Sequence, residues 1–398
     1  MLWISDQWKD YEVLDTSDGE RLERWGKYIL VRPDPQVIWS TPHAAPQWKK
    51  YDARYIRSNT GGGHWSDHQL PERWQIRYRD YLTFNVKPMN FKHTGVFPEQ
   101  AANWDFIREK VASAHRPVRV LNLFAYSGGE RLERWGKYIL VRPDPQVIWD
   151  TPRIVPQWSR YDARYVRSNT GGGHWTDHHL PERWQIKYRD YLTFNVKPMN
   201  FKHTGVFPEQ AANWDFIRQK VATAGRPVRV LNLFAYSGGA TLAAAAGGAE
   251  VFHVDASKGM VAWAKENAAA SGLDKCPIHW MVDDCAKFIQ REIRRGRRYD
   301  GIIMDPPSYG RGPSGEIWKM ETSFFPFLRE TARLLTDNPL FVIINSYTTG
   351  LAPSAVSYAA DVVFGPDHGG KTAAGELGLP VKQTGLILPC GATGRWTP

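Results

Sequence analysis

Four acidic residues follow the ends of apolar, strand-like segments in the second half of the sequence. They are Asp255, Asp283, Asp284 and Asp305. Carboxyl ends of neighbouring parallel strands meet at one edge of a sheet, so these acids are expected to face one site. A carboxylate there can accept hydrogen bonds from both hydroxyls of a ribose or from an exocyclic amine of an adenine. Helix N-capping is the alternative for Asp255 and fits the same position.

A glycine turn precedes the first of these acids. The apolar run that starts at Val228 ends in Ser237-Gly238-Gly239 and opens an Ala-rich segment, which predicts a strand, a tight turn and a helix. The turn lacks the G-x-G-x-x-G spacing of a dinucleotide site and leaves less room for a pyrophosphate. A nucleoside cofactor without phosphate, S-adenosylmethionine, therefore suits the turn better, and a dehydrogenase is only a remote alternative.

Strand-type and helix-type segments alternate after Gly239. This alternation predicts an α/β fold with a largely parallel sheet covered on both faces. The predicted elements are strands at Glu250–Asp255, Ile278–Val282, Tyr299–Met304 and Leu340–Asn345, helices at Lys258–Ser271, Cys285–Arg294 and Phe324–Leu335, and extra edge strands in the C-terminal tail, including Thr384–Leu388.

The first part of the chain is a tandem duplication. Gly19–Gly128 recurs as Gly129–Gly238, and the two copies differ at 13 of 110 positions. Short strand-type runs separated by Gly, Pro and Asn predict a small β-rich module, opened in the first copy by a hairpin that begins at Tyr11. Its tryptophans favour a compact core, with base stacking as the alternative. In the second copy Val118–Tyr126 is expected to replace the first hairpin strand.

These patterns divide the chain into four parts. We expect an N-terminal strand segment (1–18), a first β-rich module with an orphan cofactor-type strand (19–128), a second β-rich module (129–224) and a Rossmann-like domain (225–398).

The net charge of +10 arises from the duplicated stretch, since each copy carries 17 basic and 10 acidic residues. This balance weakly supports a polyanionic partner, with a solvated basic face as the alternative. Three cysteines without C-x-x-C spacing indicate a reducing compartment. The charged N-terminus and the absence of an apolar run of about 18 residues predict a cytoplasmic protein without a membrane partner.

Four segments together resemble class I S-adenosylmethionine-dependent methyltransferases, in particular the large-subunit ribosomal RNA base methyltransferase group. They are Phe201–Trp214, Val230–Leu273, Met281–Phe288 and Tyr299–Gly312. The resemblance extends from Leu192 to the C-terminus and implies a Rossmann-like methyltransferase sheet preceded by the two modules. It also implies S-adenosylmethionine as cofactor and ribosomal RNA as partner.

The resemblance assigns roles to individual residues. Those expected to bind the methionine side of the cofactor are Asn232, Phe234, Ala235, Tyr236, Ser237 and Gly238. Asp255 is expected at the ribose and Asp284, with Asp283, at the adenine. The residues expected to close the pocket are Lys202, Phe207 and Gln210. The expected substrate lip and catalytic set is Asp305, Pro306, Pro307 and Tyr309, with Ser308 between the last two.

The expected mechanism places Asp305 as acceptor for the hydrogens of a base amine, while Tyr309 stacks on an extruded base. Enzymes of the group that methylate an amine carry an aromatic residue directly after the second proline, where this chain has Ser308. Methylation of cytosine carbon 5 needs a thiolate, and after the expected fifth strand the chain reads Asn345-Ser346-Tyr347 without a cysteine. The methylated atom therefore stays open.

Two other motifs in the sequence contain residue types that can bind a ligand. His174 and His178 are four residues apart but follow a triple glycine, which favours loop histidines, and no metal site is expected. The basic run Arg294–Arg298 suits a phosphate contact or an ordinary helix end. The alternatives to an RNA base methyltransferase are a non-catalytic RNA-binding protein and a cytosine carbon-5 methyltransferase with an unusual nucleophile.

Overall fold

A computed structural model describes most of the chain. The described residues are 4–57, 63–66, 70–88, 94, 96–114, 129–144, 146–147, 153, 155–167, 173–176, 179–199, 203–311, 317–348 and 350–398. The chain divides into two compact units. One consists of Met1–Asn122 with Glu321–Pro326 and Gly350–Ala355, and the other of Leu123–Met320, Phe327–Thr349 and Val356–Pro398. No helix among the described residues is both long and apolar enough to cross a membrane.

The first copy of the repeat forms a β-rich module. Its elements are β1 (Tyr11–Ser17), β2 (Glu20–Trp25), β3 (Tyr28–Pro33), β4 (Ala53–Arg57), β5 (Gly63–Ser66), β6 (Trp74–Tyr78), β7 (Leu82–Val86) and α1 (Ala101–Ser113). Strands β1 to β5 form one sheet in chain order, and β6 pairs with β7. The expected opening hairpin, β1 with β2, is confirmed. Trp25 packs with Leu30 and Ile76 in the core, as the tryptophan content predicted.

The second copy repeats this architecture. Its elements are β8 (Gly129–Trp135), β9 (Tyr138–Asp144), β10 (Ala163–Arg167), β11 (Gly173–Thr176), β12 (Trp184–Tyr188), β13 (Leu192–Val196) and α2 (Ala211–Ala222). Strands β8 to β11 form a four-stranded sheet, and β12 pairs with β13. The strand expected at Val118–Tyr126 lies outside the described residues. A short 3₁₀ turn, Pro208–Gln210, leads into α2.

The chain from β14 onwards forms an α/β domain. Its elements are β14 (Arg229–Leu233), α3 (Gly239–Ala246), β15 (Glu250–Asp255), α4 (Lys258–Ala270), β16 (Ile278–Val282), α5 (Cys285–Arg294), β17 (Gly301–Met304), β18 (Tyr309–Arg311), β19 (Ile317–Lys319), α6 (Met320–Ala332), β20 (Phe341–Ser346), α7 (Pro353–His368), β21 (Lys371–Pro380) and β22 (Ile387–Thr397).

Seven of these strands form one sheet, in the order β16-β15-β14-β17-β20-β22-β21. Strands β14 to β17 and β20 are parallel, while β22 runs antiparallel to β20 and β21. Nearly every residue of β14, β17 and β20 is buried, as expected of strands covered on both faces. The strand order reverses between β14 and β17, and ligands of such sheets bind at this crossover.

The fold class predicted from the sequence is confirmed, and the expected strands and helices of this domain agree closely with those observed. The C-terminal tail adds strands at one edge of the sheet, as expected: β21 and β22 form a hairpin, with β21 at the edge and β22 between it and β20. The expected strand segment was misplaced, because most of Thr384–Leu388 lies in the turn of this hairpin. The turn between them occupies Val381–Leu386, where Gly385 has a positive φ of 69°.

Candidate active site

The turn after β14 is built from left-handed backbone. Phe234 (φ 55°), Tyr236 (φ 49°) and Gly238 (φ 89°) all have positive φ. This conformation costs a non-glycine residue on the order of 1 kcal/mol and clusters at functional sites. A Cβ on Gly238 would lie 3.0 Å from the Cβ of Ala264 in α4. The turn thus brings its backbone close to α4, and its conformation and close approach both require glycine at 238.

Hydrogen bonds hold this turn in place. The Tyr236 N–H donates to Asp255 Oδ2 (2.8 Å), and the Gly238 N–H donates to the Ala235 carbonyl (3.0 Å). The Ser237 hydroxyl donates to the carbonyl of Gly205, which lies in the segment before α2. The turn is therefore held by Asp255 at the end of β15 and by Gly205 of the second β-rich module.

A cleft opens between this turn, the end of β17 and the segment that leads into α2. The cleft is open to solvent, and its lining combines apolar and aromatic side chains with a few polar groups, a composition typical of ligand sites. The residues that line it are Val206, Phe207, Gln210, Trp214, Asn232, Phe234, Ala235, Tyr236, Ser237, Gly238, Gly239, Ala240, Ile303, Asp305 and Asn345. Nine of the residues singled out from the sequence are thus brought together at one cleft.

Asp255 does not line the cleft itself but forms a hydrogen bond with Tyr236, which does. Its two carboxylate oxygens accept from the backbone N–H groups of Tyr236 and Ser257, each at 2.8 Å. Burial raises the pKa of this carboxyl above its usual range. The side chain that caps α4 is Ser257, which accepts from the Met260 N–H. Asp255 therefore braces the turn after β14 and does not serve as the cap of α4.

Asp283 and Asp284 lie outside the cleft lining. Asp284 is the N-cap of α5 and accepts from the Lys287 N–H at 2.9 Å. Asp283 forms an ion pair with Arg291 of α5. Both carboxylates thus have partners on their own helix, and a role for them at an adenine stays a prediction. Lys202, the third residue expected to close the pocket, lies outside the described residues.

The lip that follows β17 begins with Asp305, which lines the cleft. Withdrawal from water and the negative charge of Glu209 raise the pKa of Asp305 to about 7. Pro306 is buried and Pro307 exposed, and the Pro307 carbonyl accepts from Trp318 Nε1 at 2.7 Å. Tyr309 is 53% exposed on β18, where it is accessible to a partner. A carboxyl that titrates near neutral pH is suited to accepting hydrogens from an amine.

A polar network missed by the sequence analysis joins α2 to β20. Gln210 Nε2 donates to the Tyr347 hydroxyl at 2.8 Å, and Asn213 Nδ2 donates to Gln210 Oε1 at 2.9 Å and to Asn345 Oδ1 at 3.0 Å. Glu209 beside them is only 5% exposed. The sequence did contain a signal for this network: Glu209, Gln210 and Asn213 are polar residues close together in a segment expected to border the pocket.

Aromatic rings border the cleft on the side of this network. The Phe207 ring lies between those of Tyr236 and Tyr347, with centroids 5.6 and 5.4 Å away. The Phe234 ring packs against Trp318 with a centroid separation of 5.3 Å. Such rings offer flat apolar faces to a nucleobase.

The cysteines do not supply a nucleophile to the cleft. Cys285 is buried, accepts from the Phe234 N–H at 3.3 Å, and has its pKa raised by burial. Burial raises the pKa of Cys390 to about 12. A thiol with a raised pKa is protonated at neutral pH and is a poor nucleophile. Within the described part of the chain no three or more His, Cys, Asp or Glu side chains cluster to hold a metal ion, and His178 lies outside it.

The fold and the cleft define a class of protein: an α/β protein with an open cleft at the crossover of a Rossmann-like sheet. The family model of S-adenosylmethionine-dependent methyltransferases matches residues 156–351. The crystal structure of the SAM-dependent methyltransferase from Agrobacterium tumefaciens is 38% identical, with a TM-score of 0.64, over 68% of this chain and 88% of that one. The chain belongs to the S-adenosylmethionine-dependent methyltransferase family, whose cofactor is S-adenosylmethionine.

Curated relatives are similar to part of this chain. The ribosomal RNA large subunit methyltransferase K/L of Chromohalobacter salexigens is 31% identical over 170 residues, 42% of this chain and 21% of the relative. The protein of the same name from Shewanella baltica is 36% identical over 132 residues, 33% of this chain and 17% of the relative. The chain therefore spans about a fifth of the length of these relatives.

Proposed function

We propose that this chain transfers the methyl group of S-adenosylmethionine to a base of RNA, with ribosomal RNA as the substrate. The observation that carries the proposal is the cleft at the β14–β17 crossover, where a strained turn faces Asp305. Relatives named as ribosomal RNA methyltransferases support RNA as the substrate. The net positive charge of the two sequence copies adds an electrostatic reason for a polyanionic partner.

The residues present fit the cofactor. The turn from Asn232 to Gly238 would hold its methionine side, where the missing Cβ of Gly238 lets the backbone pass close to α4. Asp255 would hold the ribose: its oxygens accept two backbone bonds, and a carboxylate has about four acceptor positions. Phe207, Gln210 and Lys202 would close the pocket, while Asp283 and Asp284 would lie by the adenine.

The cofactor supplies an electrophilic methyl group, and this chain supplies positioning and hydrogen-bond acceptors. Asp305, fixed between β17 and two prolines, would accept hydrogens of the base amine. Tyr309, exposed on the lip, would stack on a base extruded from its neighbours. The rings of Phe207, Tyr236 and Tyr347 would exclude water from the methyl group, and low polarity there strengthens the contacts of the carboxylate.

The test is transfer of labelled methyl groups to bulk ribosomal RNA, followed by mass spectrometry of the nucleosides. We expect RNA label with the wild-type chain, and Asp305→Ala to abolish the labelling while RNA affinity stays within about twofold, because the carboxyl acts on one base and not on the phosphates. RNA binding without transfer in the wild type would instead indicate a non-catalytic RNA-binding protein. Label on cytosine carbon 5 would contradict the role of Asp305 as acceptor for an amine.

A further inference from the structure

Glu209 is a buried carboxylate that the proposed reaction does not use. It is 5% exposed, and its Oε2 has no hydrogen-bond partner among the described residues. A buried polar atom without a partner costs about 1–3 kcal/mol, more for a charged group. Burial raises the pKa of Glu209 above its usual range. The carboxyl therefore sits in an environment that resists its negative charge.

The cations near Glu209 already have anionic partners. Arg131 pairs with Asp144 at 2.9 Å and with Glu133 at 3.2 Å, and Arg142 pairs with Glu133 through Nε and Nη2. Among the described residues the two arginines are balanced by these two acids, which leaves the negative charge of Glu209 in excess. Tyr347 and Cys390 also lie near Glu209, and burial raises the pKa of both, so both are neutral at pH 7.

Tyr347 and Asp305 connect this carboxylate to the cleft. The Tyr347 hydroxyl accepts from Gln210 Nε2, and it interacts with the Glu209 carboxylate. Asp305 lines the cleft, and the charges of both Glu209 and Asp305 act on Tyr347 and raise its pKa together with burial. Two carboxylates thus act on the same tyrosine, one from the 3₁₀ turn before α2 and one from the lip, and among the described residues neither has a cation of its own.

We propose that Glu209 and Asp305 form a coupled pair of acids that holds one proton before S-adenosylmethionine binds and releases it to solvent when the cationic cofactor enters. This inference rests on the proposed function. A positive charge nearby favours the ionised form of both carboxyls, so the pair loses its proton and Asp305 is left free to accept hydrogens. Glu209 is then a positioning residue that acts through Asp305 and Tyr347.

The first test is calorimetry of cofactor binding at pH 7 in buffers of different ionisation enthalpy. S-adenosylmethionine carries the sulfonium charge and S-adenosylhomocysteine does not. We expect wild-type protein to release a measurable fraction of a proton with the first ligand and much less with the second. Glu209→Gln keeps the size and polarity of the side chain and should lose this difference.

The duplication supplies a matched control. Glu99 is the counterpart of Glu209 in the first module and is exposed, so Glu99→Gln should release protons as the wild type does. Loss of the release in Glu99→Gln, or its retention in Glu209→Gln, would overturn the inference.

A second measurement needs no variant. Because the pair must lose its proton for the cationic ligand alone, the preference of wild-type protein for S-adenosylmethionine over S-adenosylhomocysteine should rise by about tenfold from pH 6 to pH 8. A flat preference, with cofactor binding and methyl transfer intact, would overturn this inference and leave the proposed function standing. Absence of cofactor binding would overturn both.

Discussion

The two modules show how one sequence can serve as core in one place and as surface in another. Ile217 of α2 is fully buried, whereas its counterpart Ile107 of α1 is 44% exposed. Val221 is 5% exposed and its counterpart Val111 is 42% exposed. Helix α2 packs into the same cluster as residues of α3 and β14, and α1 has no such cluster among the described residues. The periodicity of the helix is the same, and only its packing partner differs.

The polar residues differ between the modules in the same way. Asn213 donates to Gln210, Asn345 and Thr393 and accepts from Arg395 Nε at 2.8 Å. Its counterpart in α1 is exposed and donates only to the neighbouring glutamine among the described contacts. The second module thus contributes one wall of the cleft, and the α/β domain contributes the other. A β-rich module without the α/β domain therefore provides only part of the cleft lining.

The largest expected difference concerns the buried face of the helix. Ile217→Ala should lower the free energy of unfolding by about 2–4 kcal/mol, because it leaves a cavity in a closed core. Ile107→Ala removes a side chain that is nearly half exposed and should cost less than about 1 kcal/mol. Urea denaturation followed by tryptophan fluorescence measures both. Equal losses would contradict the burial that separates the two helices.

The raised pKa of Asp305 predicts that protein stability depends on pH through this carboxyl. Its pKa is raised to about 7, so its contribution to stability is present at low pH and is lost as pH rises through 7. Asp305→Asn should therefore be more stable than wild type at pH 8, by on the order of 2 kcal/mol after allowance for solvent screening, and nearly equal to it at pH 4. Thermal denaturation across this range measures the effect. Glu99→Gln changes an exposed side chain of the first module and should alter the free energy of unfolding by less than about 0.5 kcal/mol.

A smaller effect is expected at the closing residues. Gln210→Ala removes a cleft-lining side chain that bonds Tyr347 and Asn213, and cofactor affinity should fall by about tenfold, or 1.4 kcal/mol. Gln100→Ala changes an exposed side chain of the first module and should leave the affinity unaltered. Titration with S-adenosylhomocysteine measures both. An equal loss in the two variants would show that the modules share the role.

The sequence predicted the fold and the glycine turn well, because apolar runs, turn residues and their order are local signals. It could not tell which strand-end acids face a ligand: Asp284 caps its own helix, whereas Asp305 lines the cleft. Glu209 was missed because its burial depends on β20 and on a lip about a hundred residues away along the chain. Glu99 and Glu209 have identical neighbours in the sequence, yet Glu99 is exposed and Glu209 is buried. Burial at this position therefore cannot be predicted from the local sequence.

The most direct test of the account is the number of cofactor molecules bound per chain. The chain carries two copies of the closing segment but one α/β domain with a turn facing Asp305. Equilibrium dialysis with labelled S-adenosylmethionine should therefore give one cofactor per chain, lost in a variant that combines Gly238→Val with Asp255→Ala. Two cofactors per chain, none, or one that persists in this variant would contradict the account.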